Sequence, residues 1–330
     1  MTLQNSNLIR VFILVFLNLV LLPAVHGAGT TSIGYPQKTI TIIVPFPPGG
    51  SADIVARIVG KRLSEMVAQP VIIENKPGAD GAIAAEYVAK AEPDGHTLFM
   101  ATYGAMSAVP ALHKHLAYDV LTDFSPITST GKFPFFLFIH PSLPVKTLGG
   151  FIEYVHRHPG EINYGTGNAG SIMAMAELSS VANLKLFHVP YKGEVPAMAD
   201  LITGRIQVMF ATPTNAISWV QEGKLRALVT VLENHSPLLP EVPTMAESGM
   251  KSLSIAPWAG LFGPSKMPKP IVDKLSNAVN TILMRQDVRA EFAKQGFDAT
   301  GSTPEQLGTY VKEQVKVWHD AVKTAGIVPE

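Results

Sequence analysis

The stretch "VPFPPGGSADIVARIVGKRL", residues 44–63, leaves a β-branched run, passes through Pro47, Pro48, Gly49 and Gly50, and enters a helical period. On that helix Ile54, Val55, Ile58, Val59, Leu63, Met66 and Val67 form one apolar stripe. The alternation continues along the chain. Short strands are expected at Thr39–Val44, Val71–Glu74, Thr97–Ala101, Phe133–Ile139, Phe187–Pro190, Val208–Phe210, Ala227–Thr230 and Ile255–Phe262, with amphipathic helices between them. Strand and helix in alternation predict an α/β protein of doubly wound parallel sheets. Ligands of such sheets bind beyond the carboxyl ends of the strands, where loops lead into helix N-termini. Residues 44–50 form such a loop.

The order of strand, Gly-rich loop and helix recurs in "INYGTGNAGSIMAMAELSSVA", residues 162–182, which suggests two similar lobes. Glycines let backbone N–H groups approach a guest with no Cβ in the way. A helix N-terminus adds unpaired N–H groups and a dipole that favours an anion. The two loops are therefore expected to act as jaws on one negative group, although Ser51, Asp53 and Ser171 could also serve only as helix caps.

The N-terminus predicts export. Arg10 is the only charged residue before Lys38, and the twelve-residue apolar core Val11–Leu22, interrupted only by Asn18, precedes Pro23 and a small-residue stretch. This is the pattern of a secretory signal peptide over 1–27, cleaved after Gly27 or Ala28; its apolar core is shorter than the roughly 20 residues of a membrane-spanning helix. The chain has no cysteine, hence no lipid attachment site after the signal and no disulfide framework, and a free periplasmic protein is expected. Without Arg10 the basic residues number 25 against 26 acidic, and charges alternate in sign along the helices, which gives nucleic acid no basic groove. About 300 residues exceed one comfortable core, so two domains are expected.

Catalytic and metal signatures are missing. Gly165, Gly167 and Gly170 spell G-x-G-x-x-G, and Glu194 lies near the distance of a ribose-binding acid, but "EINYG" is too short and polar for a dinucleotide-binding strand buried on both faces. There is no Walker A loop and no G-x-S-x-G elbow. His113 with His115, and His156 with His158, stand two apart and do not share a helix face, and no further ligand accompanies them. Met173, Met175, Met198 and Met209 read as core filler. No catalytic residue, cofactor or metal site is expected.

Eight motifs in order, "YPQKTITIIVPFPPGGSADIVAR", "PVIIENKPGADG", "AEPDGHTLFMAT", "YDVLTDFSPI", "INYGTGNAGS", "HVPYKGEVPAMADLITGRIQVMF", "LPEVPTMAESG" and "WAGLFGP", give the chain from about Tyr35 onward a close resemblance to the Bug family. These are extracytoplasmic solute receptors of tripartite tricarboxylate transporters. The resemblance implies a type II periplasmic-binding-protein fold, a Venus flytrap of two α/β lobes joined by two crossover strands, with a carboxylate in the cleft. It places lobe one at 35–132 plus 259–330, lobe two at 140–256, and hinge crossovers at 133–139 and 254–262.

The same resemblance implies a first jaw of Phe46, Pro48, Gly49, Gly50, Ser51 and Asp53, helped by Thr102, Tyr103 and Ala105. It implies a second jaw of Thr166, Gly167, Asn168, Ala169 and Ser171, joined by Tyr191, Lys192 and Thr212. Many relatives carry G-S/T-S/T-G-x-G where this chain has residues 165–171, so Asn168 is a candidate replacement for a hydroxyl. The implied ligand is held by N–H groups, hydroxyls and water; Lys192 is the nearest cation. The implied function is capture of a small carboxylate by a monomeric receptor and delivery to membrane permease subunits. A receptor signalling to a membrane sensor domain is the alternative of the same fold, and an exported enzyme the alternative of another class.

Overall fold

The computed structural model describes residues 34–232, 234–251, 257–324 and 328–329. The expected signal peptide at 1–27 lies outside the described residues, as do 254–256 of the expected second crossover. The strands are β1 Ile40–Val44, β2 Val71–Asn75, β3 Thr97–Thr102, β4 Phe124–Lys132, β5 Phe136–Ile139, β6 Asn163–Thr166, β7 Phe187–Pro190, β8 Val208–Ala211, β9 Arg226–Thr230 and β10 Trp258–Pro264. The helices are α1 Ser51–Val67, α2 Ala82–Ala89, α3 Val109–Leu112, α4 Leu148–Arg157 and α5 Ala169–Ala182, then α6 Glu194–Ile202, α7 Ile217–Gln221, α8 Lys269–Met284, α9 Gln286–Ala293 and α10 Pro304–Thr324.

Two five-stranded sheets share one plan. The first runs β2-β1-β3-β10-β4 and the second β7-β6-β8-β5-β9. In the first, β1 is parallel to β2 and β3, whereas β10 is antiparallel to β3 and β4. In the second, β6 is parallel to β7 and β8, and β5 is antiparallel to β8 and β9. The expected α/β fold class is borne out, with one antiparallel strand inserted in each parallel sheet. Ile40, Ile42, Ile43 and Val44 of β1 are fully buried, as a strand covered on both faces requires.

Three expectations are corrected by packing. The run at 133–139 is not one strand: β4 ends at Lys132, only Phe136–Ile139 pairs in the second sheet, and the intervening residues pass between sheets. On α1 the buried face is Ala52, Val55, Ala56, Val59, Gly60 and Leu63, while Met66 is exposed. Small residues decide that seat, because a Cβ on Gly60 would stand 3.0 Å from Ile73 Cδ1, so the helix lies closer to the sheet there than a larger side chain permits. Strand β4 was not expected at all. Its sequence FSPITSTGK is half polar, and the hydroxyls that enter the interior find partners only in the folded chain.

Thr128 shows how. Its buried Oγ1 donates to the carbonyl of Ser302 at 2.9 Å and accepts from Ser302 N–H at 3.0 Å, while Ser302 Oγ accepts from Ser129 N–H at 2.9 Å. The segment between α9 and α10 is thereby fastened to β4. Thr128→Val keeps the shape and orphans the Ser302 N–H, while Ser302 O keeps its bond from Asn280 Nδ2 at 3.0 Å, so urea denaturation should show a loss of about 1–3 kcal/mol. Ligand affinity should be unchanged, since the site lies elsewhere.

Candidate ligand cleft

The carboxyl ends of β1 and β3 in the first sheet face those of β6 and β8 in the second. The loop after β1 is held from beneath by Asp53. Its carboxylate accepts from Gly49 N–H at 2.9 Å, from Arg57 Nε and Nη2 at 2.8 and 2.9 Å, and from Asn75 Nδ2 at 2.9 Å. Asn75 Nδ2 also donates to Phe46 O at 2.9 Å. Burial pushes the Asp53 carboxyl up, but the bonds from Arg57, Gly49 and Asn75 together hold it below the ordinary carboxylate range. Gly49 takes φ of +82°, which a side chain would strain. The helix that follows has Gly50 at its N-cap and no side-chain cap, so its first N–H groups are left for solvent or a guest.

The second loop is built differently. Asn168 caps α5: its Oδ1 accepts from Ser171 N–H at 2.9 Å, and Ser171 Oγ accepts from Gly167 and Asn168 N–H at 3.0 and 3.2 Å. Ala169 N–H faces the carboxylate of Asp80 and acts to lower its pKa, and Gly170 N–H acts likewise on the hydroxyl of Tyr103. The N–H groups that open this helix thus face partners within the protein, whereas those of α1 are left open; α6, which brings Glu194 to the same wall, also starts without a side-chain cap.

The jaws touch directly. Ser51 Oγ lies 2.6 Å from Thr212 Oγ1 and 2.9 Å from Thr214 Oγ1, and Tyr103 donates to Asn168 Oδ1 at 2.8 Å. A Cβ on Gly193 would stand 2.9 Å from Pro47 Cδ. Between them remains a cavity of about 40 Å³. Of the residues expected in the shell, Phe46, Gly50, Ser51, Thr102, Tyr103, Asn168 and Thr212 line it. Pro47, Ala52, Phe133, Glu194 and Val195 complete the wall. Thr102 Oγ1 is buried there with no hydrogen-bond partner among the described residues.

The other expected residues stand behind the wall. Pro48 and Gly49 are exposed at the turn, and Asp53 braces it. Ala105 is buried and its carbonyl accepts from Tyr118 Oη at 2.8 Å. Thr166 Oγ1 is 2.7 Å from His188 Nε2, and Tyr191 Oη donates to Asp200 at 2.8 Å. Gly167 serves packing, since a Cβ there would stand 2.4 Å from Gly193 C. Ala169 and Ser171 belong to the cap already described, and Lys192 is exposed. A larger groove of about 710 Å³, at the edge formed by Lys146, Arg226 and Glu247, shares no residue with the cleft and is lined by the amino end of β9 rather than by a strand's carboxyl end.

Glu194 is the site residue that sequence reasoning set aside. It opens α6 and accepts from Asn168 Nδ2 at 2.8 Å, Thr212 Oγ1 at 2.7 Å and Thr212 N–H at 3.2 Å. Burial pushes its carboxyl up, opposed by those hydrogen bonds. The signal available in the sequence was position, an acid directly after the expected Tyr191–Gly193 loop. Among the described residues no group of three metal-ligating side chains occurs.

The model of the tripartite tricarboxylate transporter family receptor, TctC, matches residues 55–327. The chain belongs to this family. It is 32% identical to BugT of Bordetella pertussis over 297 residues, 88% of this chain and 90% of BugT. Among solved structures, Rpa4515 of Rhodopseudomonas palustris with adipate aligns at 30% identity and a TM-score of 0.87, covering 90% of this chain and all of that one. MatC of the same organism with bound malate aligns at 34% and 0.82, covering 87% and 100%. The receptor is thus an extracytoplasmic solute-binding protein of a transporter family, and its family comprises receptors rather than enzymes.

The interlobe carboxylate of Asp80 gives the receptor a pH signature. Burial raises its carboxyl from the ordinary 3.8 to about 6, against the lowering effects of Ala169 N–H and the His113 ring. With the folded value above the unfolded one, ionised Asp80 costs stability at neutral pH, and the cost is relieved as pH falls through about 6 toward 4. The stability of the wild type relative to Asp80→Asn should therefore rise between about pH 7 and pH 4, by no more than ~3 kcal/mol. Urea titrations of both proteins at fixed ionic strength check this, and a flat difference contradicts it.

Proposed function

We propose that this receptor captures a small organic carboxylate in the cleft and hands it to membrane permease subunits. The observation that carries the reading is the uncapped N-terminus of α1 beside the orphaned hydroxyl of Thr102. Peptide N–H groups at a helix start, joined by a hydroxyl, form charge-assisted hydrogen bonds to a carboxylate without a formal cation. Adipate in Rpa4515 and malate in MatC support the ligand class.

Capture proceeds by closure of lobe one, 35–132 plus 259–330, on lobe two, 140–256, about hinges in 133–139 and 254–262. A cavity of about 40 Å³ has room for little more than one water, so a ligand of several carbons enters only when Ser51 parts from Thr212 and Thr214. Hinges of a few residues absorb such a change. The receptor acts as a monomer in the periplasm, freed by removal of residues 1–27.

A thermal-shift screen of dialysed protein against mono-, di- and tricarboxylates tests the ligand class, because a ligand that binds only the folded state raises the midpoint. The absence of a shift with every acid at millimolar concentration defeats it. Thr102→Val sharpens the assignment. Removing a hydroxyl that has no protein partner should leave stability unchanged or slightly raised, while calorimetry shows carboxylate affinity reduced about tenfold, on the order of 1.4 kcal/mol.

A further inference from the structure

The two ends of the cleft have opposite hydrogen-bonding character. At the lobe-one end stand donors, the Thr102 hydroxyl and the open start of α1. At the lobe-two end the donors are already occupied by a carboxylate of the protein. Glu194 Oε1 takes Asn168 Nδ2, and Glu194 Oε2 takes both the hydroxyl and the N–H of Thr212. Asn168 cannot turn to offer something else. Its Oδ1 is committed to Ser171 N–H and to the Tyr103 hydroxyl, which fixes its amide nitrogen toward Glu194.

A second carboxylate of a ligand would therefore find the Asn168 and Thr212 donors already taken, and the uncapped start of α6 carries Glu194 itself. It would instead meet the Glu194 carboxylate in a narrow, poorly solvated space where like charges repel strongly. The wall contains no Lys or Arg to offset the repulsion. Asp80, whose carboxylate rests on Ala169 N–H, adds to the negative field on the same side, and both acids act on the Tyr103 hydroxyl. A carboxylate oxygen of Glu194 with lone pairs to spare suits a donor, best of all a cationic one.

We infer that Glu194 makes this receptor selective for a monocarboxylate that carries an ammonium or similar donor at its far end, and against the dicarboxylate of matching length. The inference rests on the proposal that the cleft binds carboxylates, and it separates this receptor from the relatives that hold adipate and malate. Selection works as much by rejecting the wrong charge as by attracting the right one.

The test is calorimetry on the receptor without its signal peptide, using the pairs succinate and 4-aminobutanoate, glutarate and 5-aminopentanoate, and adipate and 6-aminohexanoate. In the wild type the best-bound amino acid should bind at least tenfold more tightly than its paired diacid. Glu194→Gln should cut that preference below threefold. Thr102→Val should weaken both members of the pair alike and leave their ratio intact. A diacid that binds the wild type as tightly as its partner overturns the inference about Glu194 while leaving carboxylate capture standing. So does an unchanged ratio in a Glu194→Gln protein that keeps its thermal midpoint. Failure of all six compounds to bind the wild type overturns the inference, while carboxylate capture itself is decided by the thermal-shift screen. The wild-type ratio decides the matter even where Glu194→Gln does not fold.

Discussion

Every α-helix begins with N–H groups that its own ladder does not satisfy, and the residue at the N-cap decides whether their partner is internal. In this receptor that decision differs between the two lobes. Gly50 brings no side chain to the start of α1, whereas Asn168 brings an amide that, with Ser171, closes a capping box on α5. The first helix start is left able to receive an anion and the second is not. Asp53 maintains the arrangement from outside the cleft, because its four hydrogen bonds draw in Gly49, Arg57 and Asn75 and hold the turn without entering the wall.

The remaining features of the cleft follow from this asymmetry. The closed second jaw leaves Tyr103, Asp80 and Glu194 to serve as the groups through which the lobes meet and the wall is finished. Tyr103 is central: it stacks on Trp318 of α10 at 5.7 Å and shares its hydroxyl between Asn168 and Gly170. A buried side chain of lobe one is thereby tied both to the C-terminal helix behind it and to the capped loop in front of it. Ser51 and Tyr103 thus supply the polar contacts that close the wall on both sides.

Much of the architecture was legible in the chain. Short, largely apolar runs such as ITIIV and VMFA, separated by amphipathic helices, announce parallel sheets because strands covered on both faces must be apolar throughout. The Gly-rich loops at 46–50 and 165–170 were visible as helix entrances, and the ordered motifs pointed to the family. β4 was invisible because its buried hydroxyls pair with Ser302 far along the chain, and polar residues with distant partners look like a loop. The seat of α1 was misjudged because Ala52, Ala56 and Gly60 carry little hydrophobic signal, yet permit the closest approach to the sheet.

By itself, the sequence determined the fold class, the alternation of strand and helix outside β4 and the location of the two loops, since these rest on periodicity and on backbone preferences of neighbouring residues. Tertiary structure alone decided which groups in those loops are still free. Thr166, Tyr191 and Asp53 look like ligand contacts until His188, Asp200 and Arg57 are seen to hold them. Glu194 looks like an ordinary helix-opening acid until Asn168 and Thr212 bring its carboxylate into the wall. A hydrogen-bonding group carries the same letter whether occupied or vacant. Its availability depends on partners such as Ser51 and Thr212, 161 residues apart, that only folding brings within reach.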